Sequence, residues 1–326
     1  MDFQIKVLLL SFVITVVLAF IIIPILKKIK VGQLEREDGP QSHLKKQGTP
    51  TMGGIILELG IILTTIAVCV YFHSQGQLEI IKRIVPLVFV SFGFGLIGFI
   101  DDFIKLILKN TKGLKPAYKM LGLLAISVIY ALYITQILRI GTDICIPFIG
   151  TYITLPIWFY IPFAIFVLLA TTNAVNLTDG VDGLSTSVTT IIITCLTVIG
   201  MLMGTEEVSI FGSILIGACL AFLLFNLHPA KVFMGDTGSL MLGGVIASLA
   251  LYLKMPLLLL IIALIPVLET ISVIIQVAYF KRTGNRIFKM APLHHHFELS
   301  GWNENKVVSV FSFITLVMCI IGLFVV

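Results

Sequence analysis

The stretch Ile84-Val-Pro-Leu-Val-Phe-Val-Ser-Phe-Gly-Phe-Gly-Leu-Ile-Gly-Phe-Ile-Asp-Asp-Phe-Ile-Lys105 decides the class of this fold. From Ile84 to Ile100 there is no charge at all, and then two aspartates follow with no spacer. A helix needs about 20 apolar residues to cross the hydrocarbon core of a bilayer. Runs of this kind recur along the whole chain, at roughly 3–26, 53–73, 84–100, 118–138, 157–173, 185–204, 209–226, 238–253, 256–279 and 307–326. Composition agrees. Of 326 residues, 58% are hydrophobic and 12% charged, against about 25% charged in soluble domains, and the mean hydropathy is +1.09. These features predict an all-α polytopic membrane protein of about ten transmembrane helices. It forms a single integral membrane domain over 1–326, with no stretch left for a separate soluble domain.

The first run is too long for a signal sequence, lacks an A-x-A site and ends in Lys27-Lys28, so it reads as a first span. The five cysteines are scattered without C-x-x-C spacing and read as small core hydrophobes.

Charge orients the chain. If the connections at 27–52, 101–117, 174–184, 227–237 and 280–306 share one side, they and the adjoining helix ends hold 17 of the 22 Lys and Arg. The other side keeps Lys6, Lys82, Arg83, Arg139 and Lys254. The positive-inside rule then puts the first set in the cytoplasm and both termini outside. On the outer side, Ile144-Cys-Ile-Pro-Phe-Ile-Gly-Thr-Tyr-Ile-Thr-Leu155 is apolar about a central Gly150 and predicts a small β-hairpin near 144–155.

Two carboxylates, Glu58 and Glu269, fall within spans. A charge at mid-membrane costs ~2.5–3.5 kcal/mol on insertion scales, so each is expected to face the bundle interior with a partner. A functional pathway and a structural hydrogen bond are both open. Pro266 predicts a kink or break in the ninth span.

The inner connections carry the chemistry. Asp101 and Asp102 would repel one another at a low-dielectric boundary unless a cation compensates. If their helix continues, Asp101, Lys105, Lys109 and Lys112 share one face. A carboxylate followed by a cationic stripe suits a phosphate and a group to remove its proton; a solvated helix end with i,i+4 ion pairs is the plain alternative. Asn173, Asn176, Asp179 and Asp182 recur every three residues, with Gly180 and Gly183 among them. They offer oxygens to a hydrated Mg²⁺, or hydrogen bonds to a sugar and a base. Asp236 opens the eighth span, where it reads as a helix N-cap or as a metal ligand bridging phosphates. Phe233 is placed to stack on a base. His294, His295 and His296 lack the spacing of a zinc site and read better as contacts to phosphate or sugar.

No nucleophilic Ser or Cys arrangement and no Walker A loop is present. The ensemble points to metal-assisted phosphoryl transfer, which asks mainly for positioning and charge neutralisation. Machinery at the bilayer boundary implies one lipid reactant and one soluble one.

Five segments together carry a resemblance: Lys46-Gln-Gly-Thr-Pro-Thr-Met-Gly-Gly54, Asp101-Asp-Phe-Ile-Lys105, Asn173-Ala-Val-Asn-Leu-Thr-Asp-Gly-Val-Asp-Gly183, Phe233-Met-Gly-Asp-Thr-Gly-Ser-Leu240 and Ala291-Pro-Leu-His-His-His-Phe-Glu298. Over essentially its full length the chain resembles the polyprenyl-phosphate N-acetylhexosamine-1-phosphate transferase superfamily. Within it, the first and last segments resemble the phospho-N-acetylmuramoyl-pentapeptide transferase branch. That resemblance implies ten spans with both termini outside, in the bacterial cytoplasmic (inner) membrane, with the active site on the cytoplasmic face. It implies Mg²⁺-dependent transfer from UDP-N-acetylmuramoyl-pentapeptide to undecaprenyl phosphate, giving lipid I and UMP, a step of peptidoglycan synthesis. A homodimer is implied too, and no nucleic-acid partner.

Residue by residue, the resemblance makes Asp236 the Mg²⁺ ligand, with Asp179 as a further one, and Asp101 with Asp102 the catalytic pair beside Asp236. Phe233 would stack on uracil, with Asn176, Asp179, Asp182 and Gly235 around the nucleotide. Lys46, Thr51, His294, His295 and His296 would contact donor phosphate or sugar, and Lys105 and Lys109 the pyrophosphate or the carrier phosphate. Two alternatives remain. One is a sibling transferase using UDP-N-acetylglucosamine. The other is a transporter, which ten spans, Pro266, Glu58 and Glu269 would also fit, although its polar residues would gather near mid-membrane and not at the inner boundary.

Overall fold

A computed structural model describes residues 2–29, 48–108 and 113–325; Lys46, Lys109 and Lys112 lie outside the described residues. With no water in a bilayer core, each backbone N–H and C=O must be paired within its own segment, and helices result. They are α1 (Phe3–Lys28), α2 (Gly54–Ser74), α3 (Leu78–Leu106) and α4 (Pro116–Leu132), the last continued by a wider turn at Tyr133–Ile137. The hairpin β1 (Asp143–Ile146) and β2 (Thr151–Thr154) follows, then α5 (Ile157–Thr178), α6 (Leu184–Leu202), α7 (Glu206–Asn226) and α8 (Gly235–Tyr252). The chain closes with α9 (Leu259–Ile262), α10 (Leu264–Thr283), α11 (Leu293–Glu298) and α12 (Glu304–Phe324).

Among the described residues, nine helices are long and apolar enough to cross a membrane: α1 to α7, α10 and α12. The remaining expected segment, 238–253, is α8, the hub of the bundle. It is buried at every position from Thr237 to Tyr252 and packs on α3, α5, α2 and α6. Small residues allow this close approach. A Cβ at Gly243 would meet the Thr172 backbone of α5 at 2.6 Å. Outward faces elsewhere stay apolar, as with Phe20 on α1 and Phe313 on α12. Many buried hydroxyls bond to the carbonyl one turn back, as Thr64 does to Gly60 and Thr197 to Ile193, and these add no unpaired donor, whereas Thr15, Thr172 and Ser185 find no partner among the described residues.

The expected break in the ninth span is real, but it sits at Ala263, between α9 and α10. Pro266 lies in the first turn of α10, where a helix has no intrahelical use for the N–H that proline lacks. The expected hairpin forms with Ile144 opposite Ile153, and Lys254 ties it to the bundle through Asp143 at 2.9 Å. Both intramembrane carboxylates are buried with partners. Glu58 accepts from Ser91 Oγ on α3 at 3.3 Å, and Glu269 from His294.

Candidate active site

The site is built around the start of α8. Asp102, at the end of α3, accepts from the backbone N–H of Asp236 at 3.1 Å, from that of Thr237 at 2.9 Å, and from Thr237 Oγ1 at 2.7 Å. A helix begins with four unpaired N–H groups and a positive dipole end, and a carboxylate from another helix covers them here. The sequence reading offered Asp236 either as the helix N-cap or as a metal ligand. The correction is that no side chain of its own segment caps α8; Asp102 does, which leaves the Asp236 carboxylate free to point into the site.

Two glycines make room for this arrangement. A Cβ at Gly98 would run into the Asp236 carbonyl, and one at Gly235, already at φ 74°, would lie 2.7 Å from Asp102 Oδ2 and 3.1 Å from Thr51 Oγ1. The inner loop before α2 is pinned alongside. Phe233 N–H donates to the Pro50 carbonyl at 2.8 Å, and Gly53 and Gly54 donate back to Phe233 and Met234, each at 2.8 Å. Thr51, Phe233 and Gly235 thus meet at one point.

Asp236 is held by cations. Its Oδ2 lies 2.9 Å from Lys105 Nζ and 2.9 Å from Lys119 Nζ, and its Oδ1 accepts from Asn176 Nδ2 at 2.8 Å. Lys105 also reaches Asp101 at 2.6 Å, and Lys119 reaches it at 3.5 Å. The other oxygen of Asp101 accepts from Leu114 N–H at 2.6 Å. Lys119 was absent from the sequence reading because it stands just inside an apolar run counted as a span; a lone lysine there was the available signal.

The Asn and Asp series does not act as one face. Asn173 donates to the Leu169 carbonyl at 2.7 Å, a bond within its own helix. Asn176 joins Asp236. The Asp179 side chain makes no hydrogen bond among the described residues; burial, then the charges of Asp236, Asp102 and Asp182, push its carboxyl up to about 8. Asp182 turns to a second cluster, accepting from Ala230 N–H and meeting His228 Nδ1, both at 3.1 Å. His228 also lies 3.6 Å from Glu304. These two residues were not singled out from sequence. Beside them is a cavity of about 520 Å³ lined by His228, Glu298, Trp302 and Glu304, and none of Asp101, Asp102, Asp179 and Asp236 lines it.

The three histidines lie on α11. His294 is 1% exposed, and both its backbone N–H, at 3.2 Å, and its Nδ1, at 3.1 Å, meet Glu269 Oε1. His295 Nδ1 lies 2.8 Å from Glu298, and His296 Nδ1 accepts from Lys289 N–H at 3.2 Å. Only His295 and His296 are partly open. Gln276 clasps the loop before α11, accepting from Ile287 and Phe288 at 3.0 Å each.

Asp101, Asp102, Asp179 and Asp236 thus stand against Lys105 and Lys119, four carboxylates to two ammonium groups. With all four ionised, two negative charges are uncompensated among the described residues. Such a cluster can hold a cation, align phosphates on its lysines and accept a proton.

Comparison with known proteins agrees with this chemistry. The sequence profile of glycosyl transferase family 4 matches residues 84–254. A phospho-N-acetylmuramoyl-pentapeptide-transferase of Acetivibrio thermocellus is 49% identical over 97% of this chain and 93% of its own length. One of Clostridium botulinum (strain Alaska E43) is 51% identical over 97% and 94%. One of Clostridium perfringens (strain 13) is 51% identical over 96% and 95%. With half of each sequence shared from end to end, the chain is a membrane transferase that belongs to the phospho-N-acetylmuramoyl-pentapeptide-transferase family.

Proposed function

We propose that this enzyme transfers phospho-N-acetylmuramoyl-pentapeptide from its UDP-linked donor to undecaprenyl phosphate, releasing UMP and forming lipid I, with Mg²⁺ as cofactor. The observation that carries the reading is the Asp236 carboxylate with two lysines at 2.9 Å and Asp101 next to it. The donor set fits a divalent cation. Asp179 is a carboxylate with no hydrogen bond among the described residues, and with all four carboxylates ionised the described residues of the cluster would hold two negative charges in excess, which one such ion would cancel. Asp236 and Asp179 would hold it, and when bound it would neutralise charge on the donor pyrophosphate.

The chain's own residues do the rest. Lys105 and Lys119 orient phosphate oxygens through charge-assisted hydrogen bonds. Asp101 takes any proton remaining on the carrier phosphate, whose oxygen attacks the donor's β-phosphorus in line as the bond from that phosphorus to the UMP oxygen breaks. Asp102 holds Asp236 in place. Phe233, Asn176 and Gly235 take the nucleotide, and Thr51, His295 and His296 the donor phosphate or sugar, with Lys46 and Lys109 assigned by resemblance alone; Asp182 is tied instead to Ala230 and His228. A direct displacement is favoured over an aspartyl-phosphate, because an anionic carrier phosphate needs only alignment.

The charge bias of the loops favours an inner-membrane protein with this site on the cytoplasmic face. Resemblance alone supports a homodimer. The test is UMP release by purified protein with Mg²⁺ and polyprenyl phosphate. Release with the muramoyl-pentapeptide donor and none with UDP-N-acetylglucosamine is expected; the reverse preference would give the sibling activity. Labelled UMP exchanging into donor without any lipid carrier would replace the direct route with a two-step one.

A further inference from the structure

Two buried polar atoms on α10 and α11 have no hydrogen-bond partner among the described residues: Glu269 Oε2 and His294 Nε2. They belong to one unit. Glu269 Oε1 accepts the backbone N–H of His294 at 3.2 Å and lies 3.1 Å from its Nδ1. Glu269 also borders an apolar cavity of about 230 Å³ lined by Leu268, Leu293, Phe297 and Trp302. In so dry a setting these hydrogen bonds are strengthened and the ring has little freedom.

The far edge of that ring rests on Gly180. A Cβ there would collide with His294 Nε2 and lie 2.8 Å from Cε1. Gly180 follows Asp179 directly in the turn between α5 and α6. With Nδ1–H given to Glu269, a bare Nε2 lone pair can rest against the Gly180 Cα–H. A protonated Nε2 would instead be a buried donor facing carbon, which is disfavoured.

We infer that Glu269 is a positioning residue: it fixes His294 as the Nδ1–H tautomer, and the ring edge seats the Asp179–Gly180 turn in the active site. His294 then acts through that turn and not by touching the donor. The consequence for turnover rests on the transferase reading above; the tautomer does not.

The experiment has two arms. The first is nitrogen NMR on protein labelled only at histidine. The ring signal lost on His294→Ala should show a protonated Nδ1 and an unprotonated Nε2, both in wild type and in Glu269→Gln, whose amide oxygen can accept the same bonds. A protonated Nε2 on that ring would overturn the inference. The second arm is steady-state UMP release. Glu269→Leu should lower kcat by about tenfold or more with donor KM little changed, since a shift of an ångström or less in a catalytic group costs on that order, and Glu269→Gln should recover most of it. Gly180→Ala should lower kcat alone, and combining it with His294→Ala should restore part of the loss, a coupling that independent sites do not show. Strict additivity, or full activity in Glu269→Leu, would overturn the seating role. If wild type releases no UMP, the transferase reading fails while the NMR arm still decides the pair.

Discussion

Asp102 accepts the backbone N–H of Asp236 at 3.1 Å, so a carboxylate at the end of one helix sets where a second aspartate begins another, 134 residues away in sequence. Adjacent aspartates therefore have different tasks. Asp102 is spent on three donors at the start of α8, while Asp101 faces the lysines.

Asp102→Asn should weaken both fold and turnover. An amide offers one acceptor oxygen where the carboxylate uses two, and losing a helix cap costs about 1 kcal/mol. A lower melting temperature together with reduced kcat is expected, whereas Asp236→Ala should abolish UMP release with little loss of melting temperature. Wild-type melting and turnover in Asp102→Asn would show that the cap does not position Asp236.

Lys119→Met should cut kcat/KM about ten- to a hundredfold, the range corresponding to ~1.5–3 kcal/mol for a hydrogen bond to a charged group. Lys105→Met should cut it at least as far, because Lys105 bridges Asp101 at 2.6 Å and Asp236 at 2.9 Å. Unchanged kinetics in Lys119→Met would remove that residue from the site.

Metal-free protein should lose stability as pH rises, through Asp179. Its carboxyl is pushed up to about 8 from an ordinary 3.8, so the folded state binds the proton more tightly than the unfolded chain does. This contribution is fully present below the unfolded value and is lost as pH rises from 3.8 to about 8. Melting curves in EDTA should show that decline, and Asp179→Asn should flatten it. Equal slopes in the two proteins would refute the assignment.

Gly98→Ala should be far worse than Gly93→Ala. The new methyl at 98 meets the backbone of Asp236, whereas at 93 it meets the flexible Ile126 side chain at 3.1 Å. Overpacking of this kind costs about 1–3 kcal/mol, and at 98 it also displaces α8. Matching melting temperatures and activities for the two variants would contradict this account.

The sequence by itself determined the apolar runs, the outer hairpin, the break near Pro266 and the segments that carry the chemistry. Hydropathy, turn residues and proline act over a few neighbouring positions, so they can be read along the chain. Tertiary structure decided how those segments share the work. The capping of α8 by Asp102, the arrival of Lys119 at Asp236, the departure of Asp182 to His228 and the burial of His294 on Glu269 all pair residues from different segments of the chain. Spacing in the chain says nothing about such pairs. They exist because glycines such as Gly98 and Gly243 let helices close to backbone contact, and at that range each buried polar atom must take whichever partner the packing brings.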